Sequence, residues 1–250
     1  MFERFKPLYL NRIDLWVEEC ASTRATVEAA QEKRFTLDRL EKHYGKVDLH
    51  PRSGVPSPVT RLLELLQKKP RGPYGAIVFS QSYPDLEPLS APLQRCLEFH
   101  PMVARDVIGL SHLEDTAGLE AMVCLDWLLD EAEEGLVLLT DILPYQHQKD
   151  AGTDIVACLE LSRKSGAVKI EGVTRERNFP ARAESLRMCD PWLAFAEGCD
   201  TRKFLPGEGV LLNAGTKSLS LSLELITYPI IQHHRAYQAP ALDAARILAV

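Results

Sequence analysis

The spacing of apolar residues along the chain predicts strands that alternate with helices. Residues 8–17 (LYLNRIDLWV) alternate between apolar and polar side chains, which predicts a strand. Residues 74–80 (YGAIVFS) form a short continuous apolar run bounded by turn residues, a pattern typical of a buried parallel strand. Further strands are predicted at residues 103–110 and, again buried, at 135–142 (GLVLLTDI). This order of elements predicts an α/β fold.

The segments between these strands have helical periodicity. Apolar residues recur at helical spacing over residues 59–66, and prolines are tolerated at the start of such a helix. A second helix is predicted at residues 88–99. A third, at residues 114–131, is apolar around much of its circumference, which predicts a central, buried helix. Two more polar helices are predicted at residues 23–34 and 37–43, and an amphipathic one at 241–248.

The second part of the chain has a weaker pattern. Residues 155–161 and 168–173 look like a pair of strands joined by the turn Lys164-Ser165-Gly166. Between residues 175 and 203 the periodicity is lost, and the apolar cluster of Trp192, Leu193 and Phe195 predicts only short elements. Strands are predicted again at residues 209–214 and 219–226, and the strict alternation of the last one indicates one buried and one polar face.

Composition and charge exclude several classes of function. The chain has 250 residues, 46% of them hydrophobic, and a net charge of −6, which argues against nucleic-acid binding. The densest basic patch, Lys68-Lys69-Pro70-Arg71, is interpreted as a solvated helix end. No apolar run approaches the roughly 20 residues that a membrane helix needs, and the N-terminus lacks the apolar core of a signal peptide.

The six cysteines are scattered, with no CxxC pair and no nearby histidine partners. Four of them lie in or beside apolar segments, where a free cysteine behaves as a small hydrophobic residue. This pattern predicts a cytoplasmic protein without a disulfide framework, without a metal site and without a cofactor. His147, His233 and His234 are interpreted as loop or tail residues and not as metal ligands.

The best candidate for a catalytic segment is residues 106–112 (DVIGLSH), where a strand leads into a small hydroxyl residue, Ser111. It half-resembles the nucleophile elbow of α/β-hydrolases, although Leu113 replaces the closing glycine. His112 is a poor general base for Ser111, because adjacent side chains in a turn point apart. Two interpretations stay open: Ser111 is a nucleophile, or it is a small residue in a tight strand-to-helix turn that caps the following helix.

The ordered set of segments resembles the N-terminal half of β-ketoacyl synthase III, a member of the thiolase superfamily. In the family's order, the matching segments are residues 75–79, 88–94, 106–107, 117–121, 135–141 and 150–156, with a weaker match at 206–214. The resemblance implies a thiolase-like layered αβα sandwich. It also implies two parts: an N-terminal half at residues 1–165 and an abbreviated C-terminal half at 166–250.

The chain departs from this family at the catalytic positions. Ser111 stands where the family has its nucleophilic cysteine. The family's C-terminal half carries a histidine and an asparagine that polarise the thioester carbonyl, but the segment between Gly152 and Pro206 is much shorter here and contains no histidine. The glycine-rich closing turn is altered to Gly215-Thr216-Lys217-Ser218.

The resemblance and these departures together predict a non-catalytic subunit of a heteromeric ketoacyl synthase III-like complex that makes a fatty-acyl or polyketide-type secondary metabolite. Because the family dimerises around the nucleophile position, the implied partner is a catalytically intact homologue or a second copy, and an acyl carrier protein or acyl-CoA would be a further partner. Two alternatives stay open: a serine-dependent acyltransferase or thioesterase using Ser111, and an acyl-carrier or small-molecule binding protein.

Overall fold

The structure is a computed structural model. It describes residues 1–19, 49–51, 57–67, 69–82, 92–111, 113–142, 145–147, 153–177, 187–205, 207–215, 219–227 and 237–238. The helices predicted at 23–34, 37–43 and 241–248 lie outside the described residues, as do His112, His233 and His234.

The described residues form eleven strands, four α-helices and one 3-10 turn. The strands are β1 (Phe2–Glu19), β2 (Leu49–Pro51), β3 (Tyr74–Gln81), β4 (Ala104–Leu110), β5 (Glu134–Asp141), β6 (Tyr145–His147), β7 (Thr153–Ser162), β8 (Val168–Arg177), β9 (Gly209–Gly215), β10 (Leu219–Thr227) and β11 (Tyr237–Gln238). The helices are α1 (Pro58–Leu66), α2 (Pro92–Phe99), α3 (Ala117–Leu128) and α4 (Asp190–Asp200), and the 3-10 turn is Glu114–Thr116.

One mixed sheet organises the protein, in the order β4-β3-β5-β7-β1-β8-β10-β9. Strands β4, β3 and β5 are parallel to one another, and the neighbours from β5 to β9 pair antiparallel. The four strands predicted at residues 74–80, 103–110, 135–142 and 155–161 therefore all lie in one sheet, as expected. Strands β2 and β6 form a separate pair, and β11 adds to β1.

The predicted hairpin of residues 155–161 and 168–173 is wrong, because β1 lies between β7 and β8. Strand β1 is long enough to pair with both: Leu10 is opposite Leu161 of β7 and also opposite Val168 of β8. The connection from β7 to β8 therefore crosses β1. It passes so close that a Cβ at Gly166 would lie 2.7 Å from the Cβ of Tyr9, so a glycine is required there.

Helices cover both faces of the sheet. Helices α1 and α2 cover one face, with buried contacts from Leu62, Leu66 and Cys96. Ser57 caps α1, and Pro58 occupies its first turn, where a proline is tolerated as expected. Helices α3 and α4 pack on the other face. These layers match the αβα sandwich implied by the resemblance.

Helix α3 is central and buried, as predicted, except for Trp127, which is 69% exposed. The predicted helix 114–131 is shorter than expected: residues 114–116 form the 3-10 turn, and α3 ends at Leu128. The residue at the N-cap is Thr116, whose hydroxyl donates to the Leu113 carbonyl at 2.7 Å. The cap role of Ser111 stays a prediction.

The sheet curves around α3. The Glu114–Thr116 turn follows edge strand β4 directly, yet it packs against β9 and β10 at the opposite edge. In a flat sheet of eight strands these edges would be roughly 34 Å apart, so β8, β10 and β9 must bend over the helix. These strands belong to the predicted segment 166–250 but share the sheet of residues 1–165. The division into two parts stays a prediction.

The interpretation of Lys68-Lys69-Pro70-Arg71 as a solvated helix end is wrong for Lys69. Its side chain is fully buried, and its ammonium pairs with Asp14 of β1 and Glu160 of β7. Buried charges are retained where they are paired, so Lys69 ties the end of α1 to the centre of the sheet.

Candidate functional site

Ser111 lies at the carboxyl end of the parallel strands, where ligands bind in open α/β sheets. In the register of the sheet, Leu110 is opposite Ser80, and Ser80 is opposite Leu139. Ser111 follows directly, is exposed, and precedes the turn that leads into α3. The predicted strand-to-helix turn is therefore present.

Asp141 is the buried acid at the same end of the sheet, with 1% of its surface exposed. Strand β3 separates it from the Ser111 strand, so the two backbones are about 10 Å apart. Both carboxylate oxygens are occupied: Oδ1 accepts from the Ser82 hydroxyl at 2.8 Å, and Oδ2 accepts from the Cys189 N–H at 3.2 Å. Asp141 therefore orders the end of the sheet and does not serve Ser111 as a general base.

Arg187 binds the segment before α4 to Asp141. Its guanidinium forms an ion pair with Asp141 at 3.1 Å and donates to the backbone carbonyls of Asp141 and Thr153. Burial works against the charged form, but the Asp141 carboxylate, followed by Asp190, outweighs it and raises the pKa of Arg187. The sequence did not reveal this residue, because the pattern is weak between residues 175 and 203.

The segment that Arg187 anchors fills the space at the first turn of α3. Met188 and Trp192 are both fully buried. A Cβ at Gly118 would lie 2.8 Å from the Met188 carbonyl oxygen and 3.3 Å from the Trp192 indole nitrogen. The Ser80 hydroxyl donates to the Ala117 carbonyl at 3.2 Å and lies 3.8 Å from the Met188 sulfur. The start of α3 is thus covered by protein side chains.

Cys189 lies at this end of the sheet, where its N–H donates to Asp141, and the sequence did not single it out. It is fully buried at the N-cap of α4. Burial first, and then the Asp141 carboxylate, raise the pKa of its thiol well above the ordinary value. The thiolate is the reactive form of cysteine, so a neutral, buried Cys189 does not replace the missing nucleophile.

Cysteine labelling is expected to separate two classes of thiol in the folded protein. Burial raises the pKa of Cys96 and Cys158 to about 12, and Cys189 is shielded as well. Cys124 and Cys199 are partly exposed. With iodoacetamide at pH 8 and peptide mass spectrometry, the thiols of Cys96, Cys158 and Cys189 are expected to react at least tenfold more slowly than those of Cys124 and Cys199. Equal rates in native protein would contradict this placement, and equal rates in denaturant are the control.

His100 is the only histidine whose side chain belongs to the described part of the chain, and it is far from Ser111 along β4. It follows α2 and precedes the amino end of β4, whereas Ser111 follows the carboxyl end. Burial, and then the charge of Arg71, lower the pKa of His100, which keeps it neutral. The interpretation of His147 as a loop residue is wrong, because it lies in strand β6, opposite Leu49.

The described part of the chain has neither a group of residues suited to a metal ion nor a membrane-spanning helix. There, no group of three or more histidine, cysteine, aspartate and glutamate residues is arranged to hold a metal ion. No helix among the described residues is long and apolar enough to cross a membrane. Glu114 and Asp115 belong to the 3-10 turn that precedes α3.

Comparison with known proteins places this arrangement in a recognised fold. No protein-family model and no curated protein sequence matches the chain. Among solved structures, the acyltransferase ChlB3 matches with a TM-score of 0.59 at 11% identity, over 89% of this chain and 98% of ChlB3. The 3-oxoacyl-(acyl carrier protein) synthase III FabH of Xanthomonas oryzae pv. oryzae matches with a TM-score of 0.58 at 9% identity, over 90% and 100%.

A variant of OleA from Xanthomonas campestris, in which one glutamate is replaced by aspartate, matches equally well. Its TM-score is 0.58 at 9% identity, over 90% of this chain and 100% of OleA. These structures share the thiolase-like fold, and at such low identity the likeness concerns the fold alone. The resemblance and the fold class predicted from the sequence are thereby confirmed.

Proposed function

We propose that the chain is a non-catalytic subunit that supports a catalytically intact, synthase III-like partner in making a fatty-acyl or polyketide-type secondary metabolite. The observation that carries the proposal is the filled space at the first turn of α3. Met188 and Trp192 are fully buried against Gly118, so protein side chains fill the space at the start of the helix that follows Ser111. The free thiols of the five described cysteines support a reducing, cytoplasmic location.

The chemistry of condensation supports the same conclusion. The reaction needs a thiolate that accepts an acyl group and donors that stabilise the oxyanion, and the loss of one donor costs about 2.7–4 kcal/mol of barrier. A serine hydroxyl is far less acidic than a thiol, whose pKa is about 8.5. Ser111 has the hydroxyl, and the buried Cys189 thiol stays neutral. Neither residue supplies a thiolate.

The exposed edge of the sheet supports a role as a partner. Val103 and Val107, in or beside edge strand β4, are 65% and 42% exposed, and nearby Phe99 is 63% exposed. Among the described residues, no strand pairs with the outer side of β4. Contiguous exposed apolar patches mark interaction sites. The resembling family dimerises through this region, so β4 is the proposed pairing edge.

The purified chain is expected to show no condensation of acyl and malonyl thioesters, and Ser111→Cys is expected not to restore it. The added thiol would lie on an exposed turn with no described histidine beside it. The assay is radiolabelled product formation with acyl-CoA and malonyl carrier protein, with an intact synthase III as positive control and Ser111→Ala as background. Product from Ser111→Cys at more than a trace above Ser111→Ala would refute the non-catalytic role.

The exposure of Ser111 favours one alternative, a serine-dependent acyltransferase or thioesterase. This activity requires an acyl-serine intermediate. Intact-protein mass spectrometry after incubation with short- and long-chain acyl-CoA tests it directly. An acyl adduct that maps to Ser111 and disappears in Ser111→Ala would replace the proposed function with this one.

A further inference from the structure

Strand β1 loses one of its two neighbours halfway along its length. Strand β7 pairs with β1 as far as Glu19, whereas β8 pairs with it only as far as Leu10. Among the described residues, only β11 follows on the side of β8, and it pairs with Leu15 and Trp16 alone. It must lie on that side, because β7 pairs with both residues on the other. The side of residues 12–19 that faces away from β7 is therefore a partly filled slot, called the β1 slot below.

The β1 slot lies in the interior of the protein. Asp14, Leu15, Trp16 and Val17 are all buried. Leu15 belongs to the apolar cluster of α3 and α4, and Trp16 belongs to the cluster of α1 and α2, so both faces of the sheet are covered here. Buried backbone N–H and C=O groups need hydrogen-bond partners. A neighbour longer than β11 would supply more of them.

Strand β11 is a poor match for the β1 slot. In the observed parallel register Gln238 is opposite Trp16, so β11 brings a polar residue to an apolar face of the sheet. Continuing the same register would place Pro240 opposite Glu18. Proline has no backbone N–H, so it does not continue a paired strand. The slot is therefore longer and more apolar than the strand that occupies it.

We propose that the β1 slot is a strand-addition site for an extended, apolar peptide segment of another protein, with β11 as the internal competitor that this segment displaces. In strand addition, main-chain hydrogen bonds give affinity and pockets for side chains give specificity. Because helices cover both faces here, the added segment needs apolar residues at consecutive positions, as a buried parallel strand does. The site does not involve β4, so it is independent of the proposed function.

Peptide binding to the full-length chain tests the proposal. The probe is a fluorescent synthetic peptide with the sequence of residues 231–239, changed by Gln238→Val to remove the polar side chain. The double variant Tyr237→Pro/Gln238→Pro removes both N–H groups of β11 and so weakens its hold on the slot. Fluorescence anisotropy is expected to show at least tenfold tighter binding of the probe to this variant than to wild type. Ala244→Pro/Ala245→Pro carries the same change outside β11 and is expected to bind the probe like wild type.

A modified probe separates strand addition from nonspecific apolar binding. N-methylation of the probe at the positions of Tyr237 and Gln238 keeps its side chains but removes two main-chain donors. Binding is expected to weaken at least tenfold, because strand addition depends on main-chain hydrogen bonds. An N-methylated probe that binds as tightly as the unmodified one would overturn the proposal, as would a probe that binds no form of the chain.

Hydrogen exchange followed by mass spectrometry locates the bound peptide. In wild type at a saturating concentration of probe, amides of residues 12–19 are expected to exchange at least as slowly as without it, and in the double proline variant at least tenfold more slowly. This measurement in wild type does not depend on the folding of the variant. Equal affinity of the probe for wild type and the double variant would show that β11 does not compete for the site. Protection of β4 or β9 in place of residues 12–19 would overturn the assignment to β1.

Discussion

Replacing Arg163 with alanine is expected to lower the free energy of unfolding by about 3–5 kcal/mol. Removing one partner of a buried ion pair leaves the other charge buried without compensation. Arg163 is almost completely buried and pairs with Asp126 of α3 at 2.7 Å. It also donates to the carbonyls of Leu129 at 3.2 Å, Lys6 at 3.1 Å and Pro7 at 3.3 Å. One side chain thus joins the end of α3 to the first part of β1, and alanine would leave the buried Asp126 carboxylate without this partner.

The measurement is urea unfolding followed by circular dichroism, with the exposed neighbour Lys164→Ala as matched control. Lys164→Ala is expected to change the free energy of unfolding by less than about 0.5 kcal/mol. Arg163→Lys keeps the charge but lacks the planar guanidinium with its several N–H donors. An intermediate loss of unfolding free energy is therefore expected. An Arg163→Ala protein as stable as Lys164→Ala would show that this contact does not join α3 to β1.

The variant Val107→Asp is expected to raise the dissociation constant of a dimer that pairs through β4 at least about 100-fold, because it would bring a carboxylate into the proposed pairing edge. Like charges opposed across an interface cost several kcal/mol, and about 2.7 kcal/mol corresponds to 100-fold. Val107 is 42% exposed and lies on an edge strand, so the substitution should leave the fold intact. Sedimentation equilibrium, alone and with an intact synthase homologue, measures the effect.

Leu211→Asp is the matched control for this variant. Leu211 is 57% exposed and lies on β9, the other edge strand of the described sheet. It carries the same chemical change away from the proposed pairing edge, so its dissociation constant is expected to match that of wild type. Equal weakening by both variants, or a wild-type chain that stays monomeric with itself and with every homologue tested, would refute pairing through β4.

Much of the fold could be predicted from local patterns, because each pattern reports which face of an element is buried. The run at 74–80 is buried throughout in β3, and the helical spacing at 59–66 matches the buried face of α1. The alternation in 219–226 places Leu223 and Leu225 in the core. Ser111 was also located, since a strand followed by a small residue and a helix defines a turn regardless of what packs around it.

Contacts between distant segments could not be predicted in this way. The insertion of β1 between β7 and β8 depends on pairing between residues far apart in the sequence, such as Leu10 with Leu161 and Val168. The burial of Lys69 depends on carboxylates from two different strands. A local sequence window contains neither set of partners, so it favours a hairpin for the first case and a solvated lysine for the second.

The sequence by itself determined the α/β order, the likeness to the thiolase-like fold and the absence of a cysteine at position 111, because periodicity and residue identity are local properties. Only the tertiary structure decided what packs around the first turn of α3. Arg187 binds Asp141 across 46 positions of the chain, and this contact brings Met188 and Trp192 against Gly118. Such packing joins residues far apart in the sequence, so periodicity does not encode it.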